Sequence, residues 1–218
     1  GMSNSEQGYL NDLWKFNPAS NQWTWIKGDS SIHQYSVYGN QGNPSESSKP
    51  GGIYASVSWT DKNGNLWLFG GFGYTDTDFG FLNTLWKYSP ATNEWTWMKG
   101  DKVIDKPGVY GVKGNEHNNN KPGARYGSST WTDEAGNLWL YGGYGFNGSE
   151  SGILNDLWRF NPATNKWAWI SGDNGVEEKA VYGTKGIAST SNKPGARYVC
   201  SSWKDADGNF WLFGGYGY

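Results

Sequence analysis

Few residues of this 218-residue chain could do chemistry. It has two histidines, His33 and His117, and a single cysteine, Cys200. Metal centres and activated nucleophiles need several such side chains at a matched spacing, and these three have no such spacing. No Gly-rich phosphate loop follows a predicted strand. We therefore expect no catalytic residue, no metal site and no cofactor, and we expect that the chain is not an enzyme.

Two acidic segments, Asp61–Asn65 and Asp205–Asn209, resemble calcium-binding loops and the Asp boxes of sialidases. A calcium ion takes about six to eight oxygen ligands, and five residues supply few of them. Both segments lie between two predicted strands and contain glycine, which supplies positive φ in tight turns. We therefore interpret them as hairpin turns.

Charge and length argue against several classes of protein. The chain carries 18 Lys and Arg against 20 Asp and Glu, a net charge of -2. It lacks the concentrated positive field that nucleic acid or an anionic membrane requires. No apolar stretch reaches the roughly 18 residues of a membrane span, and one cysteine cannot form an intramolecular disulfide. The Gly1-Met2 start resembles an expression scar, and no signal-peptide pattern follows it.

A long internal repeat organises the chain. Its Asn-x-Leu-Trp motif begins at Asn11, Asn83 and Asn155, at a constant interval (83 − 11 = 155 − 83 = 72). A fixed long period of this kind indicates a repeat architecture. Trp and Tyr favour strands and Gly favours turns, so 15 Trp, 14 Tyr and 33 Gly predict an all-β protein. Every tryptophan falls on one of five repeat positions: Trp14, Trp86 and Trp158; Trp23, Trp95 and Trp167; Trp25, Trp97 and Trp169; Trp59, Trp131 and Trp203; Trp67, Trp139 and Trp211.

Each repeat predicts four short strands, named a to d. In the repeat that is complete in the middle of the chain, they are expected at 126–132, 137–141, 156–160 and 166–170. Turn residues separate a from b at 133–137 and c from d at 161–165. Trp167 and Trp169 lie two apart in strand d and therefore share one face. No segment has a helical period of useful length.

This order of motifs resembles the kelch repeat. The matching segments are Pro122–Tyr126 at strand a, Leu138–Gly143 in strand b, and Leu157–Pro162 followed by Trp167. The resemblance covers essentially the whole chain and implies a β-propeller, in which each four-stranded sheet is one blade around a central channel. The 72-residue period exceeds the roughly 50 residues of kelch repeats. The excess lies in the d–a connections at 29–48, 101–120 and 173–192.

The predicted strand order is c-d, a-b-c-d, a-b-c-d, a-b. Residues 1–218 are thus one half-ring domain of three repeats, 11–82, 83–154 and 155–218, with the scar and a partial b–c loop in 1–10. Twelve strands would form three blades, whereas propellers have about four to eight. Ends left open would expose Trp-rich edge strands, which favour aggregation.

Two chains would close the ring. Residues 11–28 of each chain would complete the blade begun by residues 197–215 of the other, giving six blades with twofold symmetry. Each shared blade would bury about five large apolar side chains, on the order of 10 kcal/mol gross. Association costs about 4–15 kcal/mol once for both seams. We therefore predict a homodimer; the alternative is an excerpt of a longer chain that supplies the other blades.

The b–c connections (72–82 and 144–154) and the d–a connections are predicted to lie on one face. Binding residues usually lie on long loops of a rigid scaffold, so this face is the candidate binding surface. Its aromatic side chains could stack on a carbohydrate or a peptide, or could pack the loops onto the blades. Tyr38, Tyr110 and Tyr182 share one repeat position, which favours packing.

Two arginines begin predicted inner strands on the same face. Arg125 and Arg197 could bind an acidic group at the channel mouth or the carbonyls of a neighbouring blade, and Ile53 replaces them in the first repeat. The candidate ligand-binding residues are therefore Arg125, Arg197, Tyr38, Tyr110, Tyr182, Tyr74, Tyr144, Phe146 and Tyr216.

The kelch resemblance implies a non-enzymatic interaction scaffold that binds a protein or a glycan, and chains with this Trp-rich pattern resemble secreted or cell-surface bacterial proteins. The rival is a fragment of a galactose-oxidase-like or sialidase-like propeller enzyme whose catalytic parts lie outside this chain. Galactose oxidase resembles this repeat type, and its copper site needs two His, Tyr ligands and a Cys crosslinked to one Tyr. His33 and His117 lie at different repeat positions, and Cys200 replaces the Ser of Ser56 and Ser128. A role as a small strand residue is the simpler interpretation of Cys200.

Overall fold

The computed structural model of the protein describes residues 7–218. The regular secondary structure in this range is all β-strand, and the strands pair antiparallel. This confirms the predicted all-β class. The expected scar at Gly1-Met2 lies outside the described residues. Within the described range, no helix is long and apolar enough to cross a membrane.

Short strands follow one another along the whole described chain. The c–d turns are alike, because Asn21, Asn93 and Asn165 take φ values of 54°, 57° and 55°, a left-handed conformation that Asn tolerates better than most residues. The strands are β1 (Leu13–Asn17), β2 (Gln22–Lys27), β3 (Ile53–Tyr54), β4 (Val57–Thr60), β5 (Leu66–Phe69), β6 (Phe72–Tyr74), β7 (Phe79–Phe81), β8 (Leu85–Ser89), β9 (Glu94–Lys99), β10 (Arg125–Tyr126), β11 (Ser129–Thr132), β12 (Leu138–Phe146), β13 (Ser151–Asn161), β14 (Lys166–Ser171), β15 (Arg197–Tyr198), β16 (Ser201–Lys204), β17 (Phe210–Phe213) and β18 (Tyr216–Gly217).

A four-stranded sheet and a five-stranded sheet form the middle of the molecule, and we call them the first and second complete blades. The first has the order β4-β5-β8-β9, and the second pairs β11, β12, β13 and β14 in turn. These strands are a, b, c and d of the repeat. The blades pack on each other through one core, in which the rings of Trp67 and Phe160 are 5.4 Å apart and those of Phe69 and Trp167 are 5.5 Å apart.

The two ends of the chain each supply half of such a sheet. β1 and β2 pair as strands c and d, and we call them the N-terminal half-blade. β16 and β17 pair as strands a and b and form, with the short pair β15–β18, the C-terminal half-blade. In the complete blades strand b pairs with strand c, but in the described chain β17 and β1 have no such partner.

The strand order is therefore the predicted one, and the described sheets do not close into a ring. The domain boundaries at 11–82, 83–154 and 155–218 stay a prediction. So does the assignment of residues 1–10, of which 7–10 are described. In that part the Leu10 carbonyl accepts a hydrogen bond from the Ile53 N–H, as the Leu82 carbonyl does from Arg125.

The b–c connections are hairpins, and the prediction of 11-residue loops is wrong. β6 pairs with β7, and β12 and β13 run together as far as Phe146 and Ser151. Gly142 and Gly143, at φ 62° and 104°, make a bulge that bends β12 without ending it. The hairpin tips are short, at 75–78 and 147–150.

Strand a is broken in two, where the sequence predicted one strand over 126–132. Gly127 takes φ 66° and separates β10 from β11. β10 pairs with the hairpin end of β12, and β11 pairs with its beginning. Ala55 and Val199 break the other two copies in the same way, at φ 52° and 54°.

Candidate binding surfaces

A row of tyrosines follows the inner strands from blade to blade. Tyr54, Tyr126 and Tyr198 occupy one repeat position in β3, β10 and β15. The ring centroids of Tyr54 and Tyr126 are 6.4 Å apart, and those of Tyr126 and Tyr198 are 5.9 Å apart. Tyr144 lies 5.8 Å from Tyr126, and Tyr216 lies 5.6 Å from Tyr198. We call these five residues the tyrosine belt.

The belt lies where the inner strands meet the b–c hairpins. Phe81 stacks on Tyr126 at 5.6 Å and contacts Phe146 at 5.7 Å. Tyr54 and Tyr216 are 62% and 69% exposed, and the other three tyrosines of the belt are half-buried. Half-exposed tyrosine rings can stack on a sugar ring or a planar side chain, and their hydroxyl groups can form hydrogen bonds to it.

Tyr74 belongs to a different aromatic cluster, on the first hairpin. Its hydroxyl lies 3.0 Å from Nδ1 of His33, and the rings of Tyr9 and Tyr35 lie 6.1 Å and 5.2 Å from its own. His33 is part of a d–a connection, so the contact fixes that connection on the hairpin. The cluster shows a packing role for His33.

Each d–a connection is closed at its base by the same three side chains. Asn83 Nδ2 donates to Asp101 Oδ2 at 2.8 Å, and Lys121 Nζ donates to both oxygens of Asp101 at 2.7 Å. The other two copies are Asn11, Asp29 and Lys49, and Asn155, Asp173 and Lys193. Burial raises the pKa of Asp29 and Asp173, but the hydrogen bonds from Lys and Asn outweigh it and hold both pKa values below the ordinary one.

The d–a connections also bind the outer strand of the next blade. The N–H groups of Gly114 and His117 donate to the carbonyls of Trp169 and Trp167 on β14, at 2.7 Å and 3.3 Å. Gly42 and Ser45 make the same two bonds to Trp97 and Trp95 on β9. These connections cover an edge that would otherwise present unpaired backbone groups. They are inter-blade straps, and the prediction that they form a free binding loop does not fit this placement.

Tyr38 and Tyr110 belong to these straps and are buried, with 3% and 8% of their surface exposed. Tyr38 stacks on Trp86 at 5.2 Å, and Tyr110 packs on Trp158 at 5.0 Å. A ligand cannot reach either ring, so packing is the interpretation that applies to both. Tyr182, the third copy, is 80% exposed, because no described blade follows it.

Arg125 is completely enclosed, and its role is a correction to the predicted ligand site. Its NH1 donates to Asp156 Oδ1 at 2.5 Å and its NH2 to Asp156 Oδ2 at 2.8 Å. Neither side chain of this ion pair is exposed. Asp156 Oδ2 also accepts from the Tyr110 hydroxyl and from Trp158 Nε1, each at 2.8 Å. We call these four residues the Arg–Asp cluster.

The first complete blade has the same positions without the charges. Ile53 stands where Arg125 does, and Thr84 stands where Asp156 does. The remaining two members, Tyr38 and Trp86, are left with a buried hydroxyl and a buried indole N–H that have no hydrogen-bond partner within the described chain. Both charges of the cluster are therefore absent together.

The C-terminal half-blade holds one part of another cluster. Arg197 Nε donates to the Gly195 carbonyl at 3.0 Å and NH1 to the Gly214 carbonyl at 3.2 Å, as Arg125 does with Gly123 and Gly142. No acidic partner of Arg197 occurs in residues 7–218. An open cleft of about 310 Å3 lies between Tyr182, Arg197 and Leu212.

The large aromatic side chains of the half-blades are more exposed than their copies in the complete blades, which are buried or, at Trp97, Trp139 and Trp169, half-buried. Trp14 is 48% exposed, against 1% and 0% for Trp86 and Trp158. Trp211 is 58% exposed, against 2% for Trp67. Phe16, Trp23, Trp25, Trp203 and Phe213 are exposed by 40% to 72%.

The acidic a–b turns use their carboxylates internally. Asp61 Oδ1 accepts from the N–H groups of Asn63 and Asn65, and Asp61 Oδ2 accepts from Asn65 Nδ2 and Trp67 Nε1, all within 3.0 Å. Burial raises the pKa of Asp61, but these hydrogen bonds outweigh it and hold the pKa below the ordinary value. Over residues 7–218, no three His, Cys, Asp or Glu side chains group as metal ligands.

One of the repeats matches a known protein motif. Residues 135–168, which run from the a–b turn into strand d of the second complete blade, match the Kelch motif. The second complete blade thus contains a Kelch motif. A search of curated proteins finds no match to the chain.

Part of the candidate surface was not predicted from the sequence. Tyr144 and Tyr216 were predicted, but Tyr54, Tyr126 and Tyr198 were not, although they share one repeat position. The sequence contained the necessary signal, because an aromatic residue that recurs at one repeat position of the inner strands must line the channel side of successive blades. Asp156 was also missed, although its replacement by Thr84 accompanies that of Arg125 by Ile53.

Proposed function

We propose that the chain is a non-enzymatic interaction module, a β-propeller of six blades that forms when two copies complete each other's half-blades. One observation carries this proposal. The half-blade tryptophans Trp14 and Trp211 are about half exposed, while their copies Trp158 and Trp67 are at most 2% exposed. Apolar area of this kind in matched repeat positions favours a partner that has the missing half.

The register proposed for the shared blade follows that of the complete blades. Leu138 lies opposite Phe160, and Leu140 lies opposite Trp158. At the same repeat positions, Phe210 of one copy would lie opposite Phe16 of the other, and Leu212 opposite Trp14. The alternating pattern fixes this register, because a slip by one residue would turn every apolar side chain to the other face.

The third strap supports the same arrangement. Gly186 and Ser189 correspond to Gly114 and His117, whose N–H groups bind strand d of the next blade. In a closed ring their partners would be the carbonyls of Trp25 and Trp23. The exposed edge of β2 would then be covered as β9 and β14 are covered.

Light scattering on the 218-residue chain tests the assembly. We expect twice the 24.2 kDa mass of one chain at micromolar concentration. Trp14→Ala and Trp211→Ala should each convert the dimer to a folded or partly folded monomer, while Lys62→Ala, at an exposed position in the a–b turn of the first complete blade, should leave the mass unchanged. A stable, folded parent monomer of 24.2 kDa at that concentration would exclude the shared blade.

The ligand of such a module is a protein segment or a glycan bound on the tyrosine belt. This surface is favoured because two neighbouring units each contribute two tyrosine rings to it. Each ring has its centroid within 6.0 Å of the centroid of at least one other; the four are Tyr126, Tyr144, Tyr198 and Tyr216. Closure by a second copy would double the row and surround the channel mouth. Arrays of glycans and peptides would identify the ligand class, and Tyr126→Ala should abolish binding while Tyr35→Ala, outside the belt, should not.

The rival function, a fragment of a galactose-oxidase-like or sialidase-like enzyme, is tested separately. Metal analysis of the purified chain together with an oxidase assay distinguishes the two. Stoichiometric copper with oxidase activity would overturn the non-enzymatic proposal. A metal-free, inactive chain that binds a ligand on the belt would support it.

A further inference from the structure

We infer that the seam between two copies contains a second Arg–Asp cluster, in which Arg197 and Tyr182 of one copy bind Asp12 of the other. The inference rests on the proposed shared blade and adds to it the polar contact that decides which half-blades fit. Asp12 occupies the repeat position of Asp156, Arg197 that of Arg125, and Tyr182 that of Tyr110.

Each half of this cluster is already in position. Trp14 Nε1 donates to Asp12 Oδ2 at 2.5 Å, as Trp158 Nε1 does to Asp156 Oδ2 at 2.8 Å. Arg197 makes the same two bonds to glycine carbonyls as Arg125. What each half lacks is supplied by the other, namely a carboxylate for Arg197 and two donors for Asp12.

The three repeats keep or lose the charges as a pair. The second complete blade has Arg125 with Asp156, and the first has Ile53 with Thr84. A buried arginine without its carboxylate, or the reverse, would leave a costly unpaired charge. Arg197 and Asp12 are the remaining members of the series, so they match each other and match no other position of the chain.

The cleft beside Arg197 has room for Asp12 and Trp14 of a second copy. It is lined by Tyr182, Lys193, Pro194, Arg197 and Leu212 and has a volume of about 310 Å3. The corresponding space in the second complete blade is filled by Asp156 and Trp158, which contact Arg125 and Tyr110. Asp12 and Trp14 of a second copy have the same chemistry.

The chain itself offers the matched substitutions for a test. Arg197→Ile leaves Asp12 unpaired in both seams of its homodimer, and Asp12→Thr leaves Arg197 unpaired in both. A heterodimer of the two variants has one native Arg–Asp seam and one Ile–Thr seam, which reproduces the uncharged pair at positions 53 and 84. Both positions are only part-buried in a single copy, so each variant should fold.

Native mass spectrometry and light scattering over a concentration series measure the outcome. We expect each homodimer to dissociate at a concentration at least about a hundredfold higher than the parent. We expect the mixture of the two variants to form heterodimers at close to the parent concentration. Near-ultraviolet circular dichroism of each variant checks that it is folded.

Two results would overturn the inference while leaving the shared blade intact: parent-like homodimers of either variant, or weakened homodimers with a heterodimer no tighter than they are. A parent chain that stays monomeric would instead contradict the proposed function. The control pair Arg125→Ile with Asp156→Thr changes the same chemistry inside one copy and should leave the dimer mass unchanged.

Discussion

The second complete blade and the two half-blades have the same sequence pattern and the same local structure. The c–d turn at Asn21 repeats that at Asn165, and the Asp205 turn repeats the hydrogen bonds of the Asp133 turn. They differ in burial, since Phe160 is 0% exposed and Phe16 is 40% exposed. Strand pairing and turns are therefore local properties of a repeat, whereas burial of its tryptophans depends on the neighbouring strands and strap.

The largest expected effect is the loss of stability when a tryptophan of either region is truncated to alanine. Trp158→Ala should lower the free energy of unfolding by about 3–5 kcal/mol at any protein concentration. Trp14→Ala should cost about as much where the dimer forms and little below its dissociation concentration. Denaturant unfolding at two concentrations measures both, and an equal effect of Trp14→Ala at both would contradict the difference.

The next effect concerns the buried ion pair. Arg125→Ile should destabilise the fold by about 3–5 kcal/mol, because Asp156 is left buried and unpaired. The double variant Arg125→Ile with Asp156→Thr should recover most of that stability, as the first complete blade already tolerates Ile53 with Thr84. Thermal and urea unfolding test this. A double variant no more stable than the single one would show that the pair is not the reason for the joint replacement.

A smaller effect compares two buried tyrosines. Tyr110→Phe removes a hydroxyl that donates to Asp156 at 2.8 Å and should cost about 1.5–3 kcal/mol. Tyr38→Phe removes a buried hydroxyl without a hydrogen-bond partner in the described chain and should be neutral or slightly stabilising. Matched unfolding curves check the pair, and similar losses for both would contradict the assigned contacts.

The smallest expected effect is the dependence on acid. Hydrogen bonds hold the pKa of Asp61 and Asp133 below the ordinary value despite burial. The pKa of such a carboxyl group is lower in the folded than in the unfolded chain, where it is about 3.9. The stability that it contributes is complete above the unfolded-state pKa and is lost as the pH falls through the folded-state pKa. Unfolding between pH 6 and pH 2 should show this loss. Asp61→Asn should reduce it, and an unchanged pH slope in that variant would count against the assignment.

The sequence predicted what repeats and what is local. The repeat register, the all-β class and the c and d strands follow from the spacing of Trp14, Trp86 and Trp158 and from turn chemistry. The b–c hairpins were missed because the Gly142-Gly143 pair was taken as the end of a strand. The alternation of Phe72, Gly73 and Tyr74 with period two was the available signal.

What the sequence did not predict depends on contacts between distant repeats. The strap residue His117 pairs with Trp167, which lies in the next repeat, and local propensity carries no information about such a pair. Arg125 was given a ligand role because Asp156 belongs to another strand of the blade. Only the joint change to Ile53 and Thr84 could have revealed the pair from one sequence.

Hydrogen–deuterium exchange as a function of protein concentration tests the shared blade most directly. We expect the amides of β2 and β17 to exchange fast in a dilute solution of the chain and to become as protected as those of β14 and β12 where the dimer forms. Protection of the complete blades should not depend on concentration. A dimer, with twice the 24.2 kDa mass of the chain, whose β2 and β17 amides remain unprotected would contradict the shared blade.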